Sequence, residues 1–118
     1  MKMLPTIGKY LLVVPLAVFG FGHLANANSM TGLVPSFIPG GVFWVYLTGV
    51  CILAGVIGIL IGKKAKMAAQ LLGLMIVLFA LLIHLPSLMG GNEMSMAMVV
   101  KDLSIGGGLW YLSEHLSD

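Results

Sequence analysis

Five polar side chains stand out because they lie within or beside long apolar stretches: His23, Tyr46, His84, Lys101 and Asp102. An ionisable group inside a membrane span costs about 2.5–3.5 kcal/mol on insertion scales, so such residues mark functional sites by default. At ~1.5 Å of helical rise per residue, both histidines would lie ~24–25 Å from the same end of the bundle. The other three fall near that level. We therefore expect the five residues to bind a ligand or relay protons.

Several chemistries could use this group of residues. Histidine and aspartate could hydrogen-bond the oxygens of a quinone and move its protons. Two histidines on different helices could instead be axial haem ligands, with Gly20 leaving room for the ring. Thioethers at positions 94, 96 and 98 could hold Cu(I) on the outer side, but only in an extended segment. The structural alternative is that the polar groups only satisfy one another.

The arrangement of Lys101 and Asp102 bears on that choice. Neighbouring helical residues point about 100° apart, so these two cannot face the same way, and Lys101 could instead pair with Glu93. Asp102 shares a stripe with Gly106 and would need a partner if buried. Histidine or tyrosine hydroxyl could supply it, which favours a polar cavity at this level.

Composition indicates how these residues are held. The chain has 118 residues, of which 59% are hydrophobic and 8% charged, far below the roughly 25% charged residues of soluble domains. The length allows a single domain, 1–118, with four apolar segments at about 7–25, 41–62, 67–88 and 95–116. A net charge of +2 gives no reason to expect nucleic-acid binding. The single cysteine, Cys51, excludes an intrachain disulfide.

The lysines predict the orientation of an all-α, integral membrane four-helix bundle. With both termini inside, the lysines of the N-terminus and of the loop at 63–66 are all cytoplasmic, as the positive-inside rule requires. We expect a multi-pass protein of a bacterial-type inner (cytoplasmic) membrane.

Two features do not fit plain spans. The loop at 26–40 is too apolar to be solvated and is interrupted by Pro35 and Pro39. It is expected either along the outer interface as a short helix or lid, or as a plug packed on the bundle. The glycines at 106–108 favour tight helix packing, with room for a flat ligand as the alternative.

Short motifs in this order resemble those of DoxX-like membrane proteins: FGFGHL at 19–24, VPSFIPG at 34–40, FWVYLTGV at 43–50, IHLP at 83–86 and VKDL at 100–103. The resemblance implies a four-helix transmembrane bundle and a link to quinone-coupled redox complexes, in which such chains are small membrane subunits.

Together these observations predict a small subunit or binding module for a quinone-like or other lipophilic molecule. It would lie in the lipid bilayer and assist a redox partner protein. A structural or oligomerising scaffold without ligand is the alternative, and a homo-oligomer is compatible with either. No catalytic residue and no metal ligand are assigned.

Overall fold

A computed structural model describes residues 1–118, and all of its regular elements are helices, without strands. The elements are α1 (Leu4–Ala25), α2 (Ala27–Met30), a 3₁₀ turn (Thr31–Leu33), α3 (Val42–Ile61), α4 (Ala65–Phe79), a π-helical turn (Ala80–His84), α5 (Leu85–Met89) and α6 (Met94–Ser113). The segment Ala65–Met89, from α4 to α5, is one continuous helix of 25 residues.

Three helices are long and apolar enough to cross a membrane: Leu4–Ala25, Val42–Ile61 and Ala65–Met89. They correspond to the first three predicted spans. α6 has 20 residues but a more polar composition, and it is not one of the three. Many large apolar side chains face outward, and Leu11 and Val18, for example, are both 70% exposed. Such a surface suits contact with lipid, since a water-soluble domain rarely exposes large apolar patches.

The helices pack in the order α1–α3–α4–α6, each against the next. The core is one cluster of aliphatic side chains that all four contribute to: Val13, Leu16, Ile52, Val56, Ile59, Ala69, Leu72, Ile76 and Leu109. Glycines bring the helices close together. A side chain at Gly20 would lie 2.9 Å from a methyl group of Ile52, and one at Gly49 would lie 2.7 Å from the β-carbon of His23.

The loop between α1 and α3 is partly helical and packs on the bundle. Its first part is helical, as α2 and the 3₁₀ turn, and α2 packs against α3. The rest runs without regular structure to Gly40 and Gly41, whose φ angles of 107° and 43° turn the chain into α3. Such angles favour glycine because it lacks a β-carbon. The Trp44 indole N–H donates to the Pro39 carbonyl across this turn.

The glycine triplet of α6 supplies a matched test of close packing. A β-carbon at Gly106 would lie 2.5 Å from a Val77 methyl group and 3.2 Å from the Gly73 carbonyl oxygen, whereas one at Gly107 would meet nothing within 4 Å. Gly106→Ala should therefore lower the free energy of unfolding by about 1 kcal/mol, since overpacking of about 1–3 kcal/mol outweighs the gain in helix propensity of about 1 kcal/mol.

Gly107→Ala is the control and should leave stability unchanged or slightly raised. Unfolding of both variants in detergent, followed by circular dichroism, measures the difference. Equal stabilities would show that α4 and α6 are not in close contact at Gly106.

Candidate functional site

Three of the five predicted residues meet at the contact between α6 and the π-helical turn. The Asp102 carboxylate lies between two cationic or protonatable groups, with Oδ2 3.3 Å from His84 Nε2 and Oδ1 3.5 Å from Lys101 Nζ. Asp102 is only 5% exposed. A buried carboxylate is tolerated where partners compensate its charge. Here each of the two carboxylate oxygens has one such partner.

Lys101 reaches Asp102 although the two residues point in different directions from α6. Asp102 lies on the buried face with Val99 and Gly106, whereas the Lys101 side chain is 46% exposed. Its long aliphatic chain bends back, so that Nζ contacts Asp102 and lies 5.4 Å from the centre of the Phe19 ring. The two residues thus face different ways, as neighbouring positions on a helix should, yet the Lys101 ammonium still reaches a carboxylate, which is Asp102 rather than Glu93.

His84 owes its position to a widened helical turn. Pro86, two residues later, has no N–H to donate to the preceding turn, and its ring crowds the carbonyl four residues back. The chain accommodates this with the π-helical turn Ala80–His84 before continuing as α5. Such insertions occur often at functional sites because they redirect side chains. Here the turn places the His84 ring against α6.

His23 is also buried, at 5% exposure, but it does not contact Asp102. Its Nδ1 lies 2.9 Å from the Phe19 carbonyl oxygen, one turn earlier in α1. Because a carbonyl only accepts, Nδ1 carries the proton, and Nε2 of the neutral ring is left as an acceptor. The ring packs edge-on to Phe19 at 4.7 Å and stacks at 6.3 Å on Phe79.

Both histidines line one cavity of about 320 Å³. Its walls are otherwise mainly apolar and come from α1, α3, α4, the π-helical turn and the loop after α1. Aromatic rings of Phe19, Trp44 and Phe79 contribute, as does the loop residue Val34. A lid or plug was expected from this loop, but its individual cavity residues were not, and Thr48 was not among the predicted site residues. Only the one-turn spacing of Trp44 and Thr48 on α3 could have indicated a shared face.

The remaining predicted residues relate to the cavity differently. Tyr46 is 44% exposed and does not line it. Successive residues on a helix diverge, so Trp44 and Val45 turn toward the cavity while Tyr46 does not. Lys101 and Asp102 also stand outside the walls and reach the cavity through His84.

The chain of contacts suits hydrogen bonding and proton movement rather than nucleophilic attack. His84 Nε2 lies 3.3 Å from Asp102 Oδ2, so a proton on this nitrogen would point to the carboxylate and leave Nδ1 of the neutral ring as an acceptor. Each histidine thus has one ring nitrogen next to a protein oxygen and one for which the protein supplies no partner.

The geometry also bears on the haem and copper alternatives. Gly20, expected to leave room for a ring, packs on Ile52. Met94, Met96 and Met98 all lie within the helix α6 and not in an extended segment, so alternate side chains diverge. No three His, Cys, Asp or Glu side chains lie together in one cluster.

Comparison with known proteins corrects the family assignment. The expected DoxX relationship is wrong, since the family that matches is a different one. The motifs behind it are short, and most of their residues are glycine, proline or apolar residues that many membrane helices share, so their order was not specific. No curated protein and no solved structure matches the chain. Residues 12–98 match a domain of unknown function, DUF8561, and the chain belongs to that family.

Proposed function

We propose that this protein is a membrane-embedded binding module for a lipophilic molecule with a compact polar head group, such as a quinone. The observation that carries the proposal is the apolar cavity of about 320 Å³, which two histidines from separate helical segments line. Apart from these histidines, Thr48 is the only polar residue in its walls. Ligand sites combine apolar walls with a few polar groups in this manner, within volumes of roughly 300–1,000 Å³.

The size of the cavity limits what it can hold. Its volume lies at the lower end of that range, which suits a single substituted ring rather than a whole long-chain lipid. The tail of the ligand would leave between the helices into the bilayer. Phe19, Trp44 and Phe79 offer faces and edges against which a flat ring can stack.

Hydrogen bonding would orient the ring. His23 and His84 each offer a ring nitrogen that the protein does not use, and these can accept from a hydroxyl group or, when protonated, donate to a carbonyl. In this proposal Asp102 holds the tautomer of His84 and Lys101 balances the carboxylate. The same contacts could carry a proton between the cavity and the exposed side of α6, in support of a redox partner protein.

The proposal includes a topology. α6 would be the fourth span of a four-helix bundle, with both termini on the cytoplasmic side of a bacterial-type inner membrane. Its 20 residues suffice for about 30 Å of hydrocarbon, and the 44 Å length of the molecule suits a bilayer with its interfaces. The mutual compensation of Lys101 and Asp102 reduces the cost of inserting α6.

A scaffold without ligand is the second candidate. It is favoured by the finding that every buried side-chain nitrogen and oxygen has a hydrogen-bonding partner within the protein. Polar groups satisfied in this way can specify a unique packing without binding anything.

A fluorescence titration separates the two. Trp44 lines the cavity, whereas Trp110 lies toward the other end of the bundle, where its indole N–H donates to the Gln70 carbonyl at 3.0 Å. Because quinones quench indole fluorescence on contact, decylubiquinone added to the detergent-solubilised protein should give saturable quenching. Trp110→Phe should retain that component, and Trp44→Phe should leave only the non-saturable quenching of a quinone dissolved in the micelle.

Two loop variants provide the control. Val34 lines the cavity and Ser36 does not, so Val34→Phe should abolish saturation while Ser36→Phe preserves it. Quenching that stays linear in the wild type, or that neither variant changes, would reject the binding proposal in favour of the scaffold.

A further inference from the structure

A second cavity lies at the opposite end of the molecule, between the start of α1 and the end of α6. It measures about 610 Å³, and we call it the α1–α6 groove. Its walls include Thr6, Gly8 and Lys9 from α1 and Gly108, Tyr111 and His115 from α6 and the residues after it. It shares no residue with the histidine-lined cavity.

The groove exists because α1 and α6 are not direct neighbours over this length. α1 packs mainly against α3, and α6 packs mainly against α4. Glycines then leave the floor without side chains. A β-carbon at Gly8 would meet nothing within 4 Å, and one at Gly108 would meet only Leu12 methyl groups, at 3.6 Å. Although several lining residues are polar, most of the surface exposed in the groove is apolar, as an alkyl chain requires.

The polar groups at the mouth of the groove favour an anion. Lys9 is half-buried, and no carboxylate lies within 4.0 Å of its ammonium group. The Thr6 hydroxyl makes no hydrogen bond within the protein, in contrast to Thr31 and Thr48. The first turn of α1 contains no acidic residue, and the positive end of its dipole lies at this level.

The wider surface around the groove is also positively charged. Five of the six lysines belong to this end of the molecule, which comprises the N-terminus, the α3–α4 connection and the end of α6. Two acidic residues lie there, Glu114 and Asp118, and Asp118 already accepts a hydrogen bond from the Met67 backbone N–H at 2.9 Å. The surplus is positive, and it complements a phosphate group.

From these observations we infer that the α1–α6 groove binds an anionic phospholipid. One acyl chain lies along Gly8 and Gly108, and the phosphate contacts Lys9, with Thr6 and His115 as further donors. Basic pockets between membrane helices bind lipid head groups in this way. The inference rests on the proposed membrane-spanning position of α6 but not on quinone binding, since the two cavities share no residue.

Native mass spectrometry tests it. The protein in detergent is mixed with equimolar phosphatidylglycerol and phosphatidylcholine, and the bound lipids are counted. The wild type should retain one phosphatidylglycerol in preference to phosphatidylcholine by about fivefold, the ratio that one lysine provides near an anionic group. Lys9→Gln should remove the preference, and Gly8→Leu, which fills the groove, should remove the bound lipid.

Lys66→Gln is the matched control. Lys66 is also half-buried at the same end and without a carboxylate partner, but it does not line the groove. The Lys66→Gln variant should therefore bind both lipids as the wild type does. Equal retention of the two lipids, equal losses in Lys9→Gln and Lys66→Gln, or a dimer mass that Gly8→Leu abolishes would each overturn the inference. The last result would assign the groove to a second copy of the chain.

Discussion

Lys101→Met should lower the free energy of unfolding by about 2 kcal/mol, even though Lys101 lies at the surface of α6. The reason lies with its partner. The Asp102 carboxylate is buried, and without the ammonium at 3.5 Å its charge would be shared only with His84. Removing one partner of a buried ion pair costs about 3–5 kcal/mol. The value here is reduced because the Lys101 side chain is 46% exposed, which screens part of the interaction.

Asp102→Asn should destabilise the protein much less than Lys101→Met. It removes the buried charge and keeps an oxygen that accepts from His84, while Lys101 is free to extend toward the membrane interface. We expect a loss below about 1 kcal/mol. The double variant Lys101→Met with Asp102→Asn should regain most of the stability that Lys101→Met alone loses, since no unpaired charge is then buried.

A double-mutant cycle measures this coupling, with unfolding in mixed micelles followed by circular dichroism. Val100→Ala, at the exposed neighbouring position of α6, controls for general effects of substitution there. Strictly additive losses would mean that the two charges do not interact, and the arrangement described for Asp102 would be incorrect.

The helices could be predicted from sequence because length and apolarity alone determine them. Three mainly apolar runs of about 20 residues form helices in the structure. The ends of these helices differ from the prediction by only a few residues, as with Leu4–Ala25 against 7–25. The π-helical turn could not be predicted in this way. Pro86 indicates a disturbed helix, but whether the chain kinks, breaks or widens depends on tertiary packing against α6.

The site was predictable where depth along a helix sufficed and not where rotation or loop conformation mattered. Counting residues brought His84 and Asp102 to the same level, and they lie in contact. Tyr46 satisfied the same depth criterion, yet the rotation of α3 turns it away from the cavity. The apolar loop was expected to form a lid or a plug, but it has no periodicity, so no pattern indicated that Val34 in particular lines the cavity.

The length of a side chain explains one further difference. The 100° separation of Lys101 and Asp102 describes their β-carbons, and it would keep two short side chains apart. Lysine has four methylene groups, so its ammonium can return to a neighbouring position on the helix. Helical phase therefore gives the direction in which each residue leaves α6, but it does not limit where the ammonium at the end of the Lys101 side chain lies.

His84→Leu should weaken decylubiquinone binding by about 10–100-fold, the largest effect we expect at the cavity. Two losses combine. The ligand loses a hydrogen-bonding partner, and a polar group left unpaired in a buried site costs about 1–3 kcal/mol. The ring that links the cavity to Asp102 is also removed, so the carboxylate no longer influences the ligand. His84→Gln retains a hydrogen-bonding group and should recover part of the affinity.

Tyr46→Phe distinguishes this prediction from the one that sequence alone supports. Depth in the membrane places Tyr46 with the histidines, whereas the structure shows it outside the cavity wall. The dissociation constant of Tyr46→Phe, from the saturable quenching of Trp44, should therefore equal that of the wild type. If Tyr46→Phe weakened binding as much as His84→Leu while both variants kept their helical content, the ligand would lie on the Tyr46 face of α3. The histidine-lined cavity would then not be the binding site.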